Sequence, residues 1–178
     1  TRDGLIEHAS VASFSRTAME LMAVGAPPSL LGRTHQAAID EVRHARKCFE
    51  LASLYGGGPV EPGPMPVAPP RDADLRIVAM SAFSEGCVGE AIATLGATRQ
   101  IAGCEFSQVR ETLTEIIEDE ADHAALAWAT LRWAVGTGGS EVRDAVVELA
   151  QEMREEAMDR DTSVSSYEGV DVLRAHGR

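Results

Sequence analysis

A chain of 178 residues, 44% of them apolar, suffices for one domain with a sizeable core and is short for a multidomain protein. The formal net charge of -12 repels nucleic-acid phosphates and suits the attraction of cations, so nucleic acid is excluded as an expected partner. Three cysteines, Cys48, Cys87 and Cys104, with no CxxC pair exclude a four-thiolate iron or zinc centre and a complete disulfide framework. No apolar run approaches a membrane span and no signal peptide is visible, which favours a soluble, cytoplasmic protein.

The first predicted helix covers about residues 3 to 24 and stops at Gly25-Ala26-Pro27-Pro28, where two prolines cannot continue it. Ser29 is the expected cap of a second helix over about 30 to 55, which ends at Gly56-Gly57-Gly58. Residues 59 to 70 hold six prolines, and the stretch 56–72 reads as a crossover rather than an interdomain linker, because neither half can bury its apolar face alone. A 26-residue helix spans roughly 39 Å and a 17-residue polyproline segment reaches roughly 53 Å, so the crossover can travel the full helix length. The third helix starts near Asp72 or Asp74 and runs to about Ile101, before Gly103. A fourth covers about 107 to 135 and ends at Gly136-Thr137-Gly138-Gly139; Ser140 caps a fifth through about Arg160. Residues 1–160 thus form one helical domain, and the 161–178 tail, with little apolar periodicity, is left unassigned.

Within these helices the pattern DExxHA occurs twice, as Asp40-Glu41-Val42-Arg43-His44-Ala45 and Asp119-Glu120-Ala121-Asp122-His123-Ala124, at an offset of 79 positions. Residues three apart share a helical face, so each Glu-x-x-His pair can offer one metal ion an oxygen and a nitrogen. One such pair arises by chance in many helices; two with matching flanks are far harder to dismiss. Each is preceded by a further acidic candidate, Glu7 lying 34 residues before Glu41 and Glu85 lying 35 before Glu120. Projected on helices, all of them fall on apolar faces. A buried, unpaired carboxylate costs several kcal/mol, so four together rival a domain's whole stability of roughly 5–15 kcal/mol. Bound cations resolve that conflict.

The order Glu, ExxH, Glu, ExxH on four successive helices resembles the ferritin-like superfamily, in particular its rubrerythrin-related and diiron-carboxylate branches. The resemblance covers about residues 3 to 136 and implies an all-α, ferritin-like four-helix bundle with a long crossover between helices two and three, plus the fifth C-terminal helix. It also implies that Glu7, Glu41, His44, Glu85, Glu120 and His123 are the metal ligands and act in catalysis through the metals. Glu41 and Glu120 would bridge, Glu7 and Glu85 would be terminal, and Asp40 and Asp119 would orient the histidines. Full-length rubrerythrins carry a rubredoxin-type centre that this chain lacks, so an external electron donor is expected.

Oxygen and imidazole ligands suit two iron ions, with manganese or a mixed Fe/Mn pair also compatible. The expected function is an oxidoreductase that reacts with O2 or peroxide and oxidises a small-molecule substrate. The alternatives are a ferroxidase or iron-storage protein, which would need homo-oligomeric interfaces, and a metal-free or metal-stabilised helical scaffold. A weaker likeness of the Glu85 to Glu90 spacing to hydroxylases of modified tRNA bases is opposed by the acidic charge. Glu90 lies about 140° around an α-helix from Glu85, which favours a supporting role over ligation. His8 and His35 are expected on the surface, Cys48 as a small buried thiol, and Tyr55, Trp128 and Trp133 as core or rim.

Overall fold

The computed structural model describes the backbone of residues 1–67 and 72–175 and the side chains through residue 159 of the stretch after the crossover. The described residues are helical, without strands: α1 (Arg2–Ala23), α2 (Pro28–Gly56), α3 (Leu75–Ser81), a π-helical segment (Ala82–Gly89), α4 (Glu90–Ala102) and α5 (Ser107–Ala175). The helix ends follow local chemistry. α2 begins one residue before the expected cap: Pro27 occupies the N-cap and Pro28 the first turn, where a fixed φ and a missing N–H do no harm, so Ser29 does not cap it. Asp74 caps α3, its carboxylate accepting from Ile77 N at 2.8 Å. Between α2 and α3 the chain is non-helical wherever it is described; residues 68–71 of the expected crossover lie outside the described residues. Ser53 Oγ accepts from Val60 N at 2.9 Å and donates to Phe49 O at 2.8 Å, holding the start of this segment against α2.

α1 packs along α2, α2 meets α5, and α3, the π segment and α4 all lie on α5. The circuit closes where α1 touches α3, while α1 and α4 stay apart. The apolar core sits toward the α3 end, around Leu21, Leu30, Val78, Ala79, Leu131 and Ala134. On α2 the buried positions Leu30, Thr34, Ala37, Glu41 and His44 recur every three to four residues, so two ligand candidates lie inside the apolar stripe itself. Leu113, Ile116, Glu120, His123, Ala127 and Leu131 repeat that arrangement on α5.

The break expected at Gly136–Gly139 is present: Gly139, at φ 69 and ψ -146, is non-helical, so α5 is two helices in one run that meet at a kink there. Two other expectations change. The helix then continues past Arg160 to Ala175, a stretch with no proline to stop it, while residues 176–178 of the expected tail lie outside the described residues. Finally, Leu75–Ala102 spans 28 residues and contains an 18-residue stretch with a mean hydropathy of 1.2, long and apolar enough by length and composition to cross a membrane, contrary to the expectation that no run approaches this. The two carboxylates at its middle, Glu85 and Glu90, and its packing on α5 give it another use.

That packing is close at Gly86, where an added Cβ would stand 2.3 Å from Ala127 Cβ. Gly86→Val should therefore destabilise the protein by about 2–3 kcal/mol through overpacking, read as a lower urea midpoint. An unchanged midpoint would show that the two helices separate there without cost.

Candidate metal centre

Glu7 comes from α1, Glu41 and His44 from α2, Glu90 from the first residue of α4, and Glu120 and His123 from α5. Two sets bring their ligand atoms within 4.8 Å of one another: Glu7, Glu41, His44 and Glu120, and Glu90, Glu120 and His123. Burial is near complete for the central four, with Glu41 1%, His44 0%, Glu120 3% and His123 3% exposed.

Both histidines turn Nδ1 inward. His44 Nδ1 lies 3.7 Å from Glu7 Oε2, 3.7 Å from Glu41 Oε2 and 3.6 Å from Glu120 Oε1. His123 Nδ1 lies 3.3 Å from Glu41 Oε1 and 3.2 Å from Glu120 Oε2. Glu41 and Glu120 thus each send one oxygen toward each histidine, while Glu7 and Glu90 stand at opposite ends.

The outer nitrogens meet the aspartates of the opposite motif. His44 Nε2 donates to Asp119 Oδ2 at 2.8 Å, and His123 Nε2 lies 3.6 Å from Asp40 Oδ2. Arg43 holds both aspartates, at 2.9 Å to Asp40 Oδ1 and 2.6 Å to Asp119 Oδ2, with Glu115 Oε1 at 3.3 Å. Lys47 pairs with Glu115 beyond it. Phe14 packs edge-on against His123, ring centroids 5.0 Å apart.

The expected placement of Glu85 needs correction. Its carboxylate is 48% exposed and pairs with Arg16 Nη2 at 2.6 Å, outside both ligand sets. Glu90, expected in a supporting role, stands in the cluster instead. The π segment is the cause. In an unbroken α-helix, at about 100° per residue, Glu85 and Gly89 fall on the face of Val78. A π turn inserts one extra residue, so the direction Gly89 would have taken passes to Glu90. Apolar periodicity carries no mark of this insertion; the available hint was a second Glu beside two glycines, Gly86 and Gly89. The other expected residues Glu7, Glu41, His44, Glu120, His123, Asp40 and Asp119 lie at or directly behind the cluster. His35 is exposed and Cys48 half-buried, its thiol pushed up to about 12 by burial and nearby acids.

The electrostatics are those of acids crowded away from water. Burial, reinforced by Glu41 and Glu120, raises the Glu7 carboxyl to about 7 against the pull of His44. Burial and the neighbouring Glu120 raise Glu90 to about 9. Burial also works against an ionised Glu41, but His123 and His44 outweigh it and hold that carboxyl at about 2. Burial disfavours charged imidazoles too, yet their carboxylate partners lift His44 and His123 to about 10. Partial burial works against an ionised Asp119, but His44 and Arg43 outweigh it and hold that carboxyl below its ordinary value.

A cation fits this set on an independent observation. Glu41 Oε2, His44 Nδ1 and His123 Nε2 are buried without a hydrogen-bond partner among the described residues, a deficit of about 1–3 kcal/mol per atom. Two of the three point into the cluster, and all its donors are carboxylate oxygens or imidazole nitrogens. No family model, curated protein or solved structure matches this chain.

Proposed function

We propose that this chain is a ferritin-like four-helix bundle whose centre holds two metal ions, iron in the working protein, and that it is an oxidoreductase using O2 or peroxide to oxidise a small molecule. The observation that carries the reading is the split of Glu41 and Glu120, each offering one oxygen to the side of His44 and one to the side of His123. Glu7, Glu41, His44 and Glu120 would hold one ion, and Glu90, Glu120, His123 and Glu41 the other. Carboxylate and imidazole donors without thiolate favour iron or manganese over softer-site metals. When bound, such a pair supplies Lewis acidity and electron storage for O2 or peroxide.

The protein's own part is orientation and proton control. Asp119 keeps one proton of His44 on Nε2, so the proton that leaves as metal arrives is the one on Nδ1, whose lone pair then faces the carboxylates. Arg43 fixes Asp119 and Asp40 together, so one guanidinium steadies the partners of both histidines. Before metal binds, protons on His44, His123 and Glu90 offset the buried negative charge. Those protons must leave as metal arrives. Phe14 packs edge-on against His123 and covers that ring.

The test is anaerobic Fe(II) loading and desalting, followed by air. About two irons per chain and a rise in near-ultraviolet absorbance with O2 uptake are expected. His123→Ala should retain about one. A wild-type chain that keeps no iron, and no manganese in a parallel loading, would sink the metal reading; bound metal without O2 or peroxide consumption would sink the oxidoreductase.

A further inference from the structure

We propose that the cavity beside the cluster binds a short-chain monocarboxylic acid, its carboxylate on Arg16 and its carbon chain against Phe14 and Leu126, displacing Glu85 from the same arginine. The assignment of this acid as substrate rests on the oxidoreductase reading; its binding does not. The cavity measures about 430 Å3, is lined mainly by α1, the π segment and α5, and has Arg16 on its wall together with Glu90 and His123 of the cluster.

Arg16 is the recognition group. Its Nη2 donates to Glu85 Oε2 at 2.6 Å and reaches Ser13 Oγ at 3.5 Å. Its Nε is buried without a hydrogen-bond partner, 3.9 Å from Glu20 Oε1, too far for one. A guanidinium binds a carboxylate best through two parallel N–H groups, and Glu85 uses only one nitrogen. Glu85 therefore shows that a carboxylate reaches this arginine and leaves a donor for a better-seated one. Being half exposed, it can turn out to water, and an exposed ion pair of this kind holds it only weakly.

The remaining lining sets the class of ligand. Phe14, Leu126 and Ala127 supply an apolar wall, with Thr34 and Thr130 as neutral polar points. Glu20, 3.9 Å from Arg16 Nε, and Glu85 already face this one arginine, so a dianion such as a phosphate ester would be opposed more strongly than a single negative charge that takes the place of Glu85. The volume gives room for an acid of roughly four to eight carbons.

The experiment is calorimetric titration of the full chain, as purified and after chelation, with butyrate, hexanoate and octanoate at neutral pH. Affinity should rise about fourfold for each methylene buried, until the cavity is filled. Arg16→Gln should weaken hexanoate at least tenfold, and Glu85→Gln, which removes the competing carboxylate at an exposed position, should tighten it about three- to tenfold. No binding by any of the acids overturns the proposal. So does weaker binding in Glu85→Gln, which would make the glutamate itself the contact, or binding confined to metal-loaded chain and indifferent to Arg16→Gln, which would put the acid on the metal. Binding to both preparations supports the pocket whatever the fate of the metal assignment.

Discussion

Glu90→Ala should reduce the metal retained after loading from about two ions per chain to about one, while Glu85→Ala should leave it at about two. The two residues are five positions apart on one helix, and a reading based on a regular α-helix expects the opposite outcome. The contrast follows from placement alone: Glu90 joins Glu120 and His123 within 4.8 Å, whereas Glu85 is turned outward to Arg16. Removing one carboxylate from the set around His123 should weaken that ion by well over tenfold, given that even supporting partners are worth about 10–100-fold. The other ion, held by Glu7, Glu41, His44 and Glu120, should survive desalting. Elemental analysis of the two variants beside the wild type decides it. Full loading of Glu90→Ala with loss in Glu85→Ala would mean that the π segment does not set the ligand face.

Metal-free protein should lose thermal stability between pH 6 and 9, and metal-loaded protein should lose much less. The folded pKa of His44 and of His123 is raised from 6.5 to about 10, so their contribution is complete below 6.5 and fades as pH climbs to 10. Glu7 and Glu90 are raised from 4.5 to about 7 and about 9, so the folded state again holds protons that the unfolded chain has released, and stability falls across those intervals. Glu41 runs the other way: lowered to about 2, it stabilises above 4.5 and loses that contribution only as pH drops toward 2. Optimum stability without metal thus lies near pH 5. Each extra folded-state proton costs about 1.4 kcal/mol per pH unit on the alkaline side. Even a fraction of that, over three units, is on the order of a 10 °C fall in Tm for a chain of this size. Bound metal would take the place of the protons, so the gap between loaded and metal-free Tm should widen with pH. Parallel melting curves at pH 6 and 9 with the same gap would rule out proton-for-metal exchange at this cluster.

The helices were largely legible because their boundaries are chemical: Pro27 and Pro28 part α1 from α2, Asp74 caps α3, and Gly103 ends α4 shortly before α5. The membership of Glu7, Glu41, His44, Glu120 and His123 in one cluster followed from charge set on apolar faces, a conflict visible in linear sequence. The choice between Glu85 and Glu90 was not legible, since one extra residue in a helical turn leaves composition and hydrophobic spacing almost untouched while moving a carboxylate around the axis. Nor was the crossed pairing of Asp119 with His44 and Asp40 with His123. Each aspartate precedes its own Glu-x-x-His by one position, and only the facing of α2 and α5 shows that it serves the other motif. Arg16 stood in the sequence as one arginine among many; its role depends on an approach by the π segment 69 positions away.

That crossing has a kinetic consequence. The first half of the chain contributes Glu7, Glu41 and His44 but leaves His44 without Asp119, and the second half has the reciprocal deficit with respect to Asp40. Neither half can present its imidazole in a fixed orientation until α2 and α5 have docked across the proline-rich stretch, a closure between partners 75 positions apart. Long-range closures of this kind belong to the late part of a folding reaction. An ion bound here would then be chosen by a cavity of settled shape rather than by a growing polypeptide, which would take whichever divalent metal binds loose carboxylates and imidazoles most tightly.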